Sequence, residues 1–297
     1  MPAENYPFCT IDPSVGVVAV PDERLAKLSV FSKSAKTIPA AVEFVDIAGL
    51  VKGAAEGQGL GNKFLSHIRE TDAIAEVVRI FKDDKIIHVE NKIDPLNDIG
   101  VINLELVLAD LETVTKRLAS IQKDVKSHKK GAILEDNLLQ RVRKILEEGR
   151  LANGILLHDD EKPILKQLNL LSVKPILYVL NSSEAGENDE TILSKIPGAF
   201  VRVDPVFENG LNDLIKKSYE ILDLITYFTT GEDETRAWTI KRGSTAPEAG
   251  AAIHTDFREK FIKAEVIEWE KLLAGGLTRT EGKNYLVQDG DVIEFKI

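Results

Sequence analysis

The sequence predicts an α/β protein: a doubly wound, mostly parallel sheet with an antiparallel helical hairpin inserted into it and a small α+β module behind it. Three observations carry that reading. Short apolar, β-branched runs alternate with helix-like stretches over the first hundred residues and again beyond residue 173, as βαβ units do. In the middle of the chain, apolar residues keep a strict three-and-four spacing. After residue 226 the texture changes to short strands and tight turns. The boundaries drawn on this basis are 1–102 with 173–225 for the α/β domain, 103–172 for the hairpin and 226–297 for the last module.

Taken in order, Gly16 to Val20 (GVVAV) is a strand stopped by Pro21, and Arg24 to Phe31 has helical character. Ala41 to Ile47 (AVEFVDI) is a buried strand, followed by a glycine-rich stretch and a helix from Asn62 to about Asp72. Ala73 to Phe81 (AIAEVVRIF) is the next run of strand length. Leu104, Val107, Leu111, Val114, Leu118, Ile121 and Val125 then form a seam of three heptads. The polar break Lys126 to Gly131 (KSHKKG) leads into a second seam through Leu134, Leu138, Val142 and Ile145. Neither helix can bury its stripe alone, so the two must pack on each other. Pro175 to Leu180 (PILYVL) and Ala199 to Val203 (AFVRV) resume the strands, and Leu211 to Leu224 is helical. In the last module Ala237 to Ile240, Ala264 to Ile267, Tyr285 to Val287 and Val292 to Phe295 read as strands. Asp289-Gly290-Asp291 turns between the last two.

Composition narrows the class. At 297 residues, 43% hydrophobic and 29% charged, the chain has the make-up of two or three folded units rather than of a disordered polymer. Its net charge of −10 argues against a nucleic-acid coat over the whole surface, and no DNA partner is expected. The charge is segregated, however. Residues 115–144 carry nine Lys and Arg against Asp124, Glu135 and Asp136, so the hairpin tip is basic in an acidic chain. Such a tip is either a solvated helix surface or a face that meets phosphate backbones. Cys9, the only cysteine, allows neither an internal disulfide nor a multi-cysteine zinc site, which fits a reducing compartment. No basic and apolar leader opens the chain, and no uncharged apolar run reaches the roughly 18 residues of a membrane span. A cytoplasmic protein with no membrane partner is the expectation.

The most informative segment is Glu43-Phe44-Val45-Asp46-Ile47-Ala48-Gly49. An Asp at the carboxyl end of a buried strand with Gly three residues on is the Asp-x-x-Gly arrangement of phosphate-dependent switches. Its carboxylate holds a Mg²⁺ water and its glycine amide meets a γ-phosphate. The pattern also occurs by chance; Gly53, Gly57, Gly59 and Gly61 add a loop free to change conformation. Upstream, in Tyr6-Pro7-Phe8-Cys9-Thr10-Ile11-Asp12-Pro13, Thr10 offers the hydroxyl a switch loop presents to Mg²⁺, although an ordinary turn has the same composition. Asn181-Ser182-Ser183-Glu184 follows the strand PILYVL. There the Asn amide can pair with the N7 and N6 edge of a purine, or simply make an Asx turn. His88, in Lys85-Ile86-Ile87-His88-Val89, and His254, in Ile253-His254-Thr255-Asp256-Phe257, read first as packed or surface residues. Five scattered His and one Cys show no metal-ligand spacing.

Asp46-Ile47-Ala48-Gly49-Leu50-Val51-Lys52-Gly53-Ala54, taken with YPFCTIDP, resembles the YchF/Obg-like ATPases, a branch of the translation-factor-related P-loop NTPases. The likeness continues through GQGLGNKFL, IRETDAI, IIHV, the hairpin and Asn-x-x-Glu, and on through RAWTI, APEAG, IHTDF and QDGDVIEF, so it covers nearly the whole chain. The resemblance implies a P-loop NTPase-type nucleotide-binding domain with an inserted coiled-coil hairpin and a β-grasp (TGS) domain at the carboxyl end. It implies slow, Mg²⁺-dependent hydrolysis of ATP in preference to GTP. The ribosome or ribosomal RNA is the implied partner, met through the basic hairpin and TGS surfaces, in translation or stress regulation. On the family pattern Thr10 is the switch I threonine and a ligand of Mg²⁺ with Asp46. Asp46 and Gly49 belong to the phosphate-sensing element, and Asn181, Ser182 and Glu184 stand where other NTPases read guanine. Leu50 is apolar where GTPases often carry a water-orienting Gln, and His88 is the residue proposed to act in hydrolysis instead. Cys9 matches a cysteine linked to redox sensitivity.

The family also has an amino-terminal strand, a phosphate loop of the type Gly-x-x-x-x-Gly-Lys-Ser/Thr and a helix, and none of these is matched in the 297 residues. That loop supplies backbone amides, a Lys⁺ and a Mg²⁺-binding hydroxyl. The expectation is therefore an amino-terminally truncated domain with impaired turnover, or a ribosome-binding module that no longer handles nucleotide. Two further stretches, after Val203 and around Leu272 to Leu277, read as abbreviated.

Overall fold

The computed structural model describes residues 14–46, 60–81, 94–182, 190–204, 206 and 208–297, with 60–64 as backbone alone. In chain order the elements are β1 (Ser14–Ala19), α1 (Glu23–Ser32), β2 (Lys36–Ile38), β3 (Ala41–Asp46), α2 (Leu60–Glu70), β4 (Ile74–Arg79), α3 (Pro95–Lys126), α4 (Lys130–Glu147), α5 (Lys162–Gln167) and β5 (Ile176–Asn181). There follow α6 (Glu190–Leu193), β6 (Phe200–Val203), α7 (Leu211–Ile221), β7 (Leu224–Thr230), β8 (Glu234–Lys241), α8 (Ala246–Ile253), α9 (Thr255–Glu259), β9 (Lys263–Glu268), α10 (Trp269–Leu273), β10 (Arg279–Glu281) and β11 (Asp291–Lys296). By contact the chain divides into two units, one holding Val45–Asn209 and the other Gly16–Phe44 with Gly210–Ile297.

In the first unit β4, β5 and β6 form a parallel sheet in that order, with Val77 opposite Val179 and Val179 opposite Val201. Every residue of β5 from Ile176 to Leu180 is buried, which is why PILYVL reads as an unbroken apolar run. Leu65 and Ile68 of α2 and Ile99, Leu106 and Ala109 of α3 pack on one face of this sheet with Val78, Tyr178 and Leu180. Among the described residues β4 pairs with β5 alone, and Val77 is 68% exposed.

The hairpin is present. Three residues, Ser127 to Lys129, turn α3 into α4, with His128 in the left-handed region at φ 58°. Val114, Leu118 and Ile121 interlock with Leu138, Leu139 and Val142 in a core of their own. Two details differ from the seam read in the sequence. Helix α3 starts at Pro95, because Asp94 caps it by accepting from the Asn97 amide at 3.3 Å and proline suits the first turn. Leu104 is exposed, since the first half of α3 faces the sheet and only the second half faces α4.

The second unit is a six-stranded mixed sheet in the order β10-β9-β11-β7-β8-β2. Its strands bury both faces. Phe228, Ala237, Ile267 and Val292 meet Leu25 and Leu28 of α1 and Ile215 and Tyr219 of α7. The alternating residues Ile225, Tyr227, Ala264, Val266 and Ile293 meet Ala246 and Ala249 of α8. So residues 16–44, which the sequence boundaries group with the amino-terminal half, pack here with 210–297, and β2 adds a parallel edge to β8. The helix read from Leu211 to Leu224 ends at Ile221, and Leu224 already begins β7, a strand the sequence reading passed over. Tyr285 to Val287 is no strand; Leu286 makes a single bridge to Thr245.

Glu76 is an anomaly in the core of the first unit. It stands opposite Tyr178 on β5, is 8% exposed, and its Oε2 has no hydrogen-bond partner among the described residues. Burial, reinforced by the charge of Asp98, pushes its carboxyl up from 4.5 to about 8. A carboxyl whose folded pKa is raised binds its proton more tightly folded than unfolded, so stability falls as pH rises between about 4.5 and about 8. Glu76→Gln keeps the neutral shape. We predict that it leaves stability unchanged at pH 4.5 and raises it by roughly 2–4 kcal/mol at pH 8. Urea unfolding at the two pH values measures the difference.

Candidate functional site

The parallel sheet has a chemically distinct carboxyl end. Apart from the Tyr178 hydroxyl, which accepts from Asn103 Nδ2 at 3.1 Å, β5 is apolar until its last residue, Asn181, at the carboxyl end of the sheet where α/β proteins bind ligands. The backbone there is fixed on both sides. The Ile80 amide donates to Asn181 O at 3.0 Å, and the Ser182 amide donates to Val203 O at 3.0 Å. The side chain is not satisfied there: Asn181 Oδ1 is buried and accepts no hydrogen bond among the described residues. Such an acceptor costs on the order of 1–3 kcal/mol unless a donor arrives from elsewhere. Opposite Asn181 in register stands Arg79, whose Nε donates to Phe81 O at 3.0 Å and whose guanidinium lies 4.7 Å from the Phe81 ring. The sequence reading passed over Arg79 and Phe81. The signal available was their place at the end of the strand beside PILYVL.

Asp46 ends β3 and is exposed, as expected of a carboxylate at a strand's carboxyl end. The structure records no hydrogen bond or ion pair between Asp46 and Asn181 or Ser182. Thr10, Gly49, His88, Glu184 and Cys9 lie outside the described residues. Among the described residues no group of three or more His, Cys, Asp or Glu could hold a metal ion. A single exposed carboxylate such as Asp46 suits Mg²⁺, which keeps most of its waters and takes one or two protein oxygens. His254 has a structural role: its Nδ1 accepts the Asp256 amide at 3.2 Å and caps α9.

The basic hairpin resolves into two populations. Arg117 pairs with Glu135 at 2.5 Å, Lys129 with Asp124 at 3.2 Å, and Arg141 on α4 with Glu161 at 2.7 Å, while Lys116 pairs with Glu112. Lys123, Lys126 and Lys130, which flank the turn, make no ion pair among the described residues. No described helix is long and apolar enough to cross a membrane.

Known proteins give this geometry a context. The ribosome-binding ATPase YchF of Bacillus subtilis is 47% identical to this chain over an alignment of 333 residues that covers 98% of the chain and 91% of the relative. The chain belongs to the YchF family. The YchF protein of Haemophilus influenzae is 42% identical, with 99% of this chain and 92% of that protein covered. The solved structure of the Schizosaccharomyces pombe YchF GTPase superposes with a TM-score of 0.83 at 35% identity, over 98% of this chain and 90% of that one. Family models agree: one described as a 50S ribosome-binding GTPase matches residues 1–109, and one for the carboxyl-terminal part of YchF GTPases, described as a protein of unknown function, matches 224–297. The alignment of 333 residues exceeds the 297 of this YchF-family chain, so it steps over stretches of the relative with no counterpart here.

An unpaired acceptor kept for a ligand should trade stability for binding. We predict that Asn181→Leu raises stability by about 1 kcal/mol without ligand, the part of the desolvation cost it relieves. It should also abolish any thermal stabilisation by Mg-ATP. Differential scanning fluorimetry with and without nucleotide reads both.

Proposed function

We propose that this YchF-family chain is a ribosome-associated protein built around an adenine nucleotide site, with ATP preferred over GTP. The observation that carries the reading is the buried, unpartnered Oδ1 of Asn181 at the carboxyl end of the sheet. Adenine offers the matching edge: its N7 accepts from the Asn amide nitrogen and its 6-amino group donates to Oδ1. Guanine places an oxygen where that donor is required, and two acceptors then face each other. Ser182 and Glu184 complete the base-reading segment, and Arg79 and Phe81 flank it. Asp46, through a bound water, and the hydroxyl of Thr10 would hold Mg²⁺, with the Gly49 amide toward the terminal phosphate. When bound, the ion supplies charge neutralisation of the phosphates. His88 would orient the attacking water where Leu50 cannot. The domain boundaries given above go with this reading: 1–102 and 173–225 for the nucleotide domain, 103–172 for the hairpin, 226–297 for a TGS domain.

Ribosomal RNA is the proposed partner of the hairpin tip, and a ribosomal partner puts the protein in the cytoplasm. The relatives named above carry ribosome binding in their names. Here Lys123, Lys126 and Lys130 keep their charge uncommitted beside the turn, which favours phosphate contact over a merely solvated face. In the carboxyl-terminal unit Arg242, Lys260, Lys263, Lys271 and Lys296 are in ion pairs, whereas Arg258 and Lys283 are in none among the described residues, so that surface is the second proposed RNA contact.

A second reading has its own support. No Gly-x-x-x-x-Gly-Lys-Ser/Thr occurs in the 297 residues, and β4 has one open edge among the described residues. On that reading the chain binds the ribosome without handling nucleotide. Calorimetry with Mg-ATP and Mg-GTP separates the two. Saturable binding of ATP that is tighter than that of GTP supports the first, and no heat with either at millimolar nucleotide supports the second. For the tip, we predict salt-sensitive cosedimentation with ribosomes that is lost when Lys123, Lys126 and Lys130 become Glu. Pelleting that survives the triple substitution removes the tip from the interface.

A further inference from the structure

Asp110 lies where α3 leaves one core for another. Around it α3 borders both cores: Leu106 and Ala109 belong to the sheet core, and Val107, Val114 and Leu118 to the hairpin core. Its side chain is fully buried, yet it is heavily engaged. Oδ1 accepts the Leu171 amide at 3.0 Å and faces Arg69 Nη1 at 3.4 Å. Oδ2 accepts the Ser172 amide at 2.7 Å and the Ser172 hydroxyl at 2.6 Å. Arg69, in the last turn of α2, also donates to Asn169 O at 2.9 Å and to Thr113 Oγ1 at 3.3 Å, one turn further along α3. Lys174 closes the knot by donating to the carbonyls of Arg69 (3.1 Å) and Thr71. Residues 169–174 lead directly into β5, and the Pro175 carbonyl accepts the Ile74 amide that starts β4.

Packing alone does not ask for this arrangement. A buried ionic cluster is commonly no more stabilising than apolar residues of the same volume, so its retention calls for another reason. Here the cluster joins three elements at one point: the helix that carries the tip, the helix that follows the Asp46-to-Gly49 segment, and the entry to the strand that ends in Asn181. From Asp110 to the turn at Ser127, α3 runs about 25 Å at roughly 1.5 Å per residue, a stiff arm with its anchor at the cluster.

We propose that Asp110 is a positioning residue: with Arg69 and Ser172 it forms the fulcrum through which a load on the hairpin tip reaches α2 and β5. The proposal rests on the reading of the tip as an RNA-facing surface. Both sides of the fulcrum lie in the same compact unit, so a tilt of α3 acts on residues 169–174 directly through hydrogen bonds. The arm thereby makes the base-reading edge sensitive to occupancy of the tip.

Amide hydrogen exchange of residues 176–182 in the full chain, with and without saturating purified ribosomes, tests this. The pelleted fraction is measured on the same samples. In the unmodified chain, ribosome binding is expected to change protection of 176–182. In Arg69→Met, which leaves Asp110 its Ser172 and Leu171 donors, and in Asp110→Asn, that change is expected to be lost while pelleting is unchanged. Arg117→Met, which breaks an ion pair higher on the hairpin, is expected to keep it. Pelleting of the unmodified chain with no change at 176–182, or the same change in Arg69→Met as in the unmodified chain, overturns the fulcrum and leaves the RNA-binding reading standing. Absence of the unmodified chain from the pellet overturns both.

Discussion

Burial on both faces is the condition β5 imposes on its surroundings. A strand whose every side chain from Ile176 to Leu180 is buried needs cover on both faces, and β5 lies within the sheet between β4 and β6. Helices α2 and α3 then cover the face that carries Val78, Tyr178 and Leu180. The same condition pushes polar chemistry to the strand's end. Within β5 the Tyr178 hydroxyl accepts from Asn103 Nδ2 at 3.1 Å, and the amide of Asn181 emerges where parallel strands present their carboxyl ends. Sheet burial and site position are therefore one constraint seen at two points along six residues.

A similar demand shapes the second unit. In β7, Ile225 and Tyr227 point to one side and Thr226 and Phe228 to the other, and all four are buried. One side is met by α8, close in sequence. The other is met by α1, drawn from residues nearly two hundred positions away, and tied down where Arg24 bridges its cap Asp22 and Asp289 at 2.7 and 2.6 Å. Gly290, next to Asp289, holds φ +90°, and a Cβ there would come within 2.9 Å of Trp269. The glycine in Asp289-Gly290-Asp291 thus serves a close approach as well as a turn.

These cases show what was legible beforehand. Periodicity reveals which faces a segment must bury but not which segment buries them. Strands β3 to β6 and helix α1 each announce themselves within a short window and lie within a few residues of the expected bounds, although of β3, read as buried, only Val42 is buried; the hairpin's turn is where it was expected, but α3 begins earlier, at Pro95. The partnership of residues 16–44 with 210–297 has no local signature, and β7 was hidden because its start abuts a helix of matching apolar spacing. The placement of Asp46 and Asn181 at strand ends was legible because strand ends are local features. Asp110 was not, since an acidic residue in a charged helix looks solvated until Arg69, Leu171 and Ser172 are seen to converge on it. Thr10, Gly49, His88 and Glu184 lie outside the described residues.

Three buried oxygen acceptors of the first unit, Glu76 Oε2, Asn103 Oδ1 and Asn181 Oδ1, lack a hydrogen-bond partner among the described residues. Glu76 has an internal remedy: its raised pKa lets it take a proton, and the neutral carboxyl no longer carries the full cost of a buried charge. Asn181 has no such remedy, because an amide oxygen does not titrate in the range where the protein is folded. Nor do the strand neighbours help, since the Ile80 amide is spent on the Asn181 carbonyl and the Ser182 amide on Val203. Its deficit can be made good only by a donor from outside the described fold. On the nucleotide reading proposed above, the exocyclic amino group of a purine would be that donor.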